Sequence, residues 1–253
     1  EGSTYAKQVL EKLQNELYLK GGVKDNFEYL SLQVSVEPKV IRVTQPKTVR
    51  SIELIDIDSN RRKSPDAPVT ESERTELRSL LGSLLWMARQ TRIDINVEIS
   101  KLAQAIHKAK VKDLIDCNAV GKRVASTPTL GLTINRGVFD IKSYSVVAFG
   151  DAAFNNVEGC KSQLGEIILL CRPGNEEKIR NGHYDEAVIV SWRSATIKRV
   201  VRSTLSAEGY AISEAGETAE WIKQVLEETQ RPSDDSLKTI EAMAEKKAKF
   251  RVH

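Results

Sequence analysis

"STLSAEGYAISEAGETAEWI", residues 203–222, reads as a helix with one residue out of place. Ile212, Ala215, Ala219, Ile222 and, just beyond the quoted stretch, Leu226 recur every three or four residues and mark the stripe that meets a core. Glu208 falls on that stripe, four residues before Ile212, whereas Glu214, Glu217 and Glu228 fall on the opposite, solvated side. Capping does not account for Glu208: with Ser203 or Thr204 as the cap, it comes a turn too late for a capping box. An inward carboxylate is costly unless it is paired or holds a cation, so this helix is expected to deliver an acid to a site.

A second acid precedes the helix in sequence. In "YSVVAFGDAAF", Val147, Phe149 and Asp151 share one face and Val146 and Ala148 the other, which predicts a central strand with Asp151 at its C-terminal end. Open α/β sheets place their ligands at such strand ends. "SQLGEIILLC" and "AVIVSWRS" predict two more strands and "TLGLTI" a fourth, so strands followed by helices suggest an α/β layer. Asp234 and Asp235 of "SDD" precede a last helical stretch, "SLKTIEAMAEKKAK", where an Asp also suits a cap. Acids that converge raise each other's pKa unless a cation neutralises them, and magnesium prefers carboxylate oxygen.

The N-terminal half is different in texture. "TYAKQVLEKLQNELYLK" has helical periodicity and stops at Gly21-Gly22. "FEYLSLQVSVEPKVIRVTQ" alternates around Glu37-Pro38 as two strands and a hairpin. Residues 56–75 are polar and aperiodic, a linker or exposed strap. "TELRSLLGSLLWMARQTRIDINVEISKLAQAIHKA" predicts two helices parted near Thr91–Asp94, and a shorter helix follows over about 111–125. Trp86, Trp192 and Trp221 are expected in the core, and His107 and His183 at the surface.

With 253 residues, 40% hydrophobic and 29% charged, the chain suits one large or two ordinary domains and has no apolar run of membrane-span length. A net charge of +3 does not by itself point to nucleic acid. Cys117, Cys160 and Cys171 have no metal-type spacing, and their odd number suits a reducing intracellular compartment, cytoplasm or nucleus. The chain opens on Glu and a polar stretch, so there is no signal peptide to read, and the opening leaves room for a true N-terminus upstream.

Several motifs together resemble the polyproteins of copia-type LTR retrotransposons. Arg78-Ser79-Leu80-Leu81-Gly82-Ser83-Leu84-Leu85-Trp86 and Thr91-Arg92-Ile93-Asp94-Ile95 are similar to the family's segment between reverse transcriptase and ribonuclease H, with Ile93 in place of the usual Pro. "FGDAAF", "KSQLGEIILL" and "VSWRSATIKRVVRSTLSAEGYAISEA" resemble, in order, its ribonuclease H strands and carboxylate helix, and "DNFEYLSLQVSVEPKVIRVTQPKTV" resembles the tail of its reverse transcriptase.

The resemblance implies a reverse transcriptase tail at 1–55, a linker at 56–75, a helical connection at 76–130 and a ribonuclease H-like domain with a mixed sheet and flanking helices at 131–253. It implies Asp151, Glu208 and Asp234 or Asp235 as catalytic carboxylates, with Asp151, Glu208 and Asp234 holding magnesium (manganese as an alternative). The expected reaction is two-metal hydrolysis of RNA in an RNA–DNA hybrid. Arg193, Lys198, Arg199 and Arg202 would grip phosphates, the rest of the Pol polyprotein would be a partner, and no membrane is involved. The polymerase's own acids do not occur in this chain.

Only "EETQRPS" separates Leu226 from Asp234, where the family has a strand, and His253 falls about where a last Asp is expected. Those departures define a rival reading, a degenerate ribonuclease H-like module serving nucleic-acid binding or assembly. A third is an unrelated α/β protein whose inward Glu pairs with a nearby Arg.

Overall fold

The computed structural model describes residues 25–230 apart from 139, 158–160 and 185–186. The predicted helix over 4–20, the final helical stretch, Asp234 and Asp235 therefore lie outside the described residues. Chain order begins with β1 (Asn26–Tyr29), β2 (Leu32–Val36) and β3 (Val40–Thr44), an antiparallel meander. "FEYLSLQVSV", expected as one strand, is itself a hairpin. Its turn residues Leu30 and Ser31 have φ of 49° and 65°, left-handed values that non-glycine residues rarely adopt, so the sequence offers no turn signature there.

A helical segment follows: α1 (Pro46–Arg50), α2 (Ser59–Arg62), α3 (Glu71–Gln90), α4 (Asn96–Ala105) and α5 (Val111–Ser126), with a 3₁₀ turn at Ile93–Ile95 between α3 and α4. The break near Thr91–Asp94 and the helix over about 111–125 match the sequence reading. α3 starts on a capping box in which the Thr70 hydroxyl accepts from the Glu73 N–H and the Glu73 carboxylate accepts from the Thr70 N–H. Leu77, Leu80, Leu84, Met87, Ile99 and Leu114 fill one core between these helices. The stretch read as a linker is partly built into that core. Ile57 and Val69 are buried, and the Asn118 side chain bonds both the N–H and the carbonyl of Ile55.

β4 (Leu132–Asn135) then returns to pair with β3, so this predicted strand belongs to the first sheet and not to the carboxylate-bearing one. Its entry is tight: a Cβ on Gly131 would lie 2.2 Å from the Val43 carbonyl oxygen.

The second sheet contains β5 (Ser145–Val157), β6 (Lys161–Cys171) and β7 (Ala187–Thr196) in that order, with a short α6 (Glu176–Arg180) between β6 and β7 and the long α7 (Thr204–Gln230) after them. The α/β class stands, but both described sheets are antiparallel throughout, where a mixed sheet was expected. The β1–β2, β2–β3 and β5–β6 pairs are joined by short connections, which favour antiparallel pairing, whereas β3 and β4 are joined through the whole helical segment. β6, buried on both faces, is the central strand; β5, expected to be central, is paired only with β6 among the described residues. No helix of the described residues is long and apolar enough to cross a membrane.

The two assemblies meet through polar contacts. Trp192 on β7 donates its indole N–H to the Ala88 carbonyl at 2.7 Å, and Ser100 on α4 donates to the Ser194 carbonyl at 2.8 Å. Gln163 on β6 donates to the hydroxyls of Ser100 and Ser194, and Gln104 donates to the Gln163 side-chain carbonyl. Trp192 is thus half-buried at a seam, while Trp86 (41% exposed) and Trp221 (61% exposed) lie on the surface, contrary to their expected core placement. His107 and His183 are exposed, as read from sequence.

Candidate functional site

α7 lies close on β5 because small residues face each other. A Cβ on Gly150 would sit 2.5 Å from the Ala211 carbonyl oxygen, and Ala152 is buried with Leu164, Ile197, Ala207 and Ala211. The buried line on α7 is Ala207, Ala211, Ala215 and Ile222: Ala215 and Ile222 belong to the stripe read from sequence, and Ala219 and Leu226 of that stripe pack beside them, but towards the start of the helix the line runs through Ala211 and Ala207 in place of Ile212 and Glu208. Ile212 is 61% exposed and Glu208 is exposed, so the inference that Glu208 points into the core does not hold. The error has a physical source: the sequence reading gave weight to the bulky Ile212, whereas the close approach at Gly150 accommodates only alanine.

Alternation along β5 fixes Asp151. Gly150 and Ala152 face α7, so Asp151 projects from the other face, the side on which Val147 and Phe149 pack with Leu169 and Ile179. The strand also continues to Val157, so Asp151 lies within it and not at its end. Glu208 shares a flank of α7 with Ala219 and Leu226, which pack with Val146 of β5. The two exposed carboxylates therefore lie on opposite faces of the sheet. Among the described residues, no group of three His, Cys, Asp or Glu side chains is placed to hold a metal.

The carboxylate that does enter the interior is Glu166, 4% exposed on the α7 face of central β6. Arg193 of β7 donates to it from Nε at 2.9 Å and from Nη2 at 3.2 Å, and the Thr218 hydroxyl of α7 adds a third bond at 3.2 Å. Arg193 Nη2 also reaches Glu214 at 2.7 Å, so Glu214 is not on a solvated back face. Hydrogen bonding to Arg193 holds the Glu214 carboxyl below the usual range, and the Tyr210 hydroxyl contributes in the same direction. This knot ties β6, β7 and α7 together. A sequence signal for it exists: in "QLGEIILL", Glu166 alternates in phase with the apolar Leu164 and Ile168.

The basic stretch divides. Arg193 is committed to the two glutamates, Arg199 lies over the Tyr210 ring at 5.8 Å, and Lys198 and Arg202 are exposed. Burial, then the nearby Asp116, pushes the Cys117 thiol up to about 12, which removes it as a nucleophile at neutral pH.

Two motifs of the helical segment prove structural. Thr91 donates its hydroxyl to the buried Gln45 side chain at 2.7 Å, joining the end of β3 to the end of α3. Arg92, 1% exposed, makes a two-pronged pair with Asp94 at 2.8 and 2.9 Å and bonds the Thr127 hydroxyl at 3.0 Å and carbonyl at 3.3 Å. The Arg92 pair holds the Asp94 carboxyl below its ordinary range.

The chain is similar to two retrotransposon polyproteins. It is 28% identical over 158 residues to the retrovirus-related Pol polyprotein from transposon RE1 of Arabidopsis thaliana, which covers 62% of this chain. It is 28% identical over 155 residues, 61% of this chain, to the corresponding polyprotein from transposon RE2 of the same plant. In each case the match spans 9% of the relative's length. No family model matches the sequence. No solved structure matches it either.

Proposed function

We propose that this chain corresponds to the ribonuclease H region of a retrotransposon Pol polyprotein, with its preceding helical connection, and hydrolyses RNA in RNA–DNA hybrids. What carries this reading is the similarity to the two Pol polyproteins over 62% and 61% of the chain. The helix of Glu208 packs on the strand of Asp151 through the Gly150–Ala211 contact, with the two carboxylates on opposite faces. Both are hard oxygen donors of the kind magnesium takes and both are open to solvent, but as placed they do not converge on one ion, and no group of three such donors occurs among the described residues. Exposed Lys198 and Arg202 offer phosphate contacts. Arg193 serves a different purpose, holding α7 against the sheet through Glu166 and Glu214.

The placement of Asp151 on the face away from α7 favours a second reading, a module that binds hybrids or supports assembly without cleaving them. A labelled-hybrid assay with magnesium separates the two. Cleavage by the chain, lost in Asp151→Asn and Glu208→Gln while hybrid affinity is kept, is the expected result. Binding without cleavage by all three proteins would establish the second reading and overturn the first.

A further inference from the structure

A cleft of about 1080 Å³ runs between the helical segment and the second sheet, lined by α4, α5, the start of β6 and the end of β7. Its cations come from both walls: Lys101 and Lys108 from α4 and the turn after it, which also brings His107, Arg123 from α5, and Lys161 and Lys198 from the sheet. Two of its three acids are already committed. Glu98 pairs with Arg123, and Asp113 accepts the Lys110 N–H at 2.7 Å at the start of α5. Asp116 is the remaining acid, against exposed Lys101, Lys161 and Lys198.

The lining between these charges includes Leu102, Ala105, Val120 and Ile197 and, among the described residues, no Phe, Tyr or Trp. With the His107 imidazole as its one aromatic ring among them, the cleft offers no continuous platform for stacked bases, and the sugar-phosphate backbone is the better-matched part of a nucleic acid. Ile197 of the lining packs in one cluster with Ala152 of β5 and Ala207 of α7, so the cleft borders the seam between α7 and the sheet.

We propose that this cleft is a phosphate track for one strand of an RNA–DNA hybrid, with Lys101 and Lys161 contacting the backbone from opposite walls and leading it past Lys198 towards the seam between α7 and the sheet. The proposal rests on the reading of the protein as one that acts on hybrids, but it requires binding only, not cleavage.

The test uses the full chain and a short fluorescent hybrid, with affinity measured by anisotropy over a range of salt. Lys101→Glu/Lys161→Glu should bind about tenfold or more weakly, with a salt slope shallower by about 2, one for each phosphate that no longer meets a lysine. Lys122→Glu, an exposed charge change on α5 outside the cleft, should bind like the parent. A charge-removing pair, Lys101→Gln/Lys161→Gln, should show the same direction of change if reversal disturbs folding. Affinity within about twofold of the parent for both pairs, equal loss in Lys122→Glu, or no hybrid binding by the parent overturns the proposal. So does an acidic peptide that binds the cleft where the hybrid does not, which would assign it to a protein partner. The Asp151→Asn protein keeps the outcomes apart: hybrid binding through the cleft with no cleavage by any protein sinks the nuclease reading and leaves the track standing.

Discussion

The helical segment and the second sheet are built on opposite principles. The helices hold large side chains in one core, with Leu84 and Met87 fully buried, and they are capped and clamped by ionic pairs. The sheet is thin, closed on one side by alanines and a glycine, and its one deeply buried charge is a glutamate that needs an arginine from the next strand. The helical segment therefore resists single changes by mass of packing, while the sheet depends on a few close approaches that tolerate no added volume.

Four substitutions sharpen or break that contrast, the most damaging first. Gly150→Val should dismantle the packing of α7 on the sheet, because its side chain would meet the Ala211 backbone and not a movable side chain. A loss of about 4 kcal/mol or more is expected, read as a lost sheet transition in chemical denaturation while the helical signal persists. A single, coincident transition would show that the two regions are not separable. Arg193→Leu leaves Glu166 buried without its cation and should cost about 3 kcal/mol, whereas Arg193→Leu/Glu166→Leu should recover most of it. Failure of the double variant to recover would place the value of Arg193 in its Glu214 bond instead.

Arg92→Met tests the helical side of the comparison: losing the Arg92–Asp94 pair and the Arg92–Thr127 bonds, which join the turn after α3 to the end of α5, should cost about 2–3 kcal/mol without altering the sheet. The smallest effect belongs to Arg61 and Glu73, at the strap. Bonding to Arg61 lowers the Glu73 carboxyl to about 2, so its contribution is present above the ordinary value near 4.5 and is lost as pH falls from there through about 2. Arg61→Ala should lower stability slightly at pH 7 and by progressively less towards pH 2, measured by urea melts at each pH. An equal deficit at both ends of that range would mean that packing, not charge, is what Arg61 supplies.

How much of this was legible in the sequence follows the same contrast. Helices with large periodic side chains announce themselves, and α3 to α5 fall where "LRSLLGSLLWMA" and its successors place them. The α7 helix was legible as an element, and so was the later half of its buried face, Ala215 to Leu226; its start was not, since alanines and a glycine carry little hydrophobic weight and the decisive partner, Gly150, lies far away in sequence. The same weakness misassigned the inward acid. Glu208 was chosen by its phase with Ile212, yet Ile212 is exposed, and the acid in phase with real core residues is Glu166. The Leu30–Ser31 turn was invisible because neither residue is a turn former at positive φ. The motifs Thr91–Ile95 and Gln45 were read as a resemblance; that they touch one another is information only the fold contains.

The pairing of β4 with β3 has a practical side. Val43 finds Leu132 only after the whole of α1 to α5 has been threaded between them, so the first sheet is completed late in synthesis and its ends are held by the same helices they enclose. A recombinant fragment cut anywhere in the strap between Ser51 and Thr70 would strand Leu132–Asn135 with an unsatisfied edge, an invitation to self-association. Expression boundaries for biochemical work belong before Asn26 or after Asn135, never between.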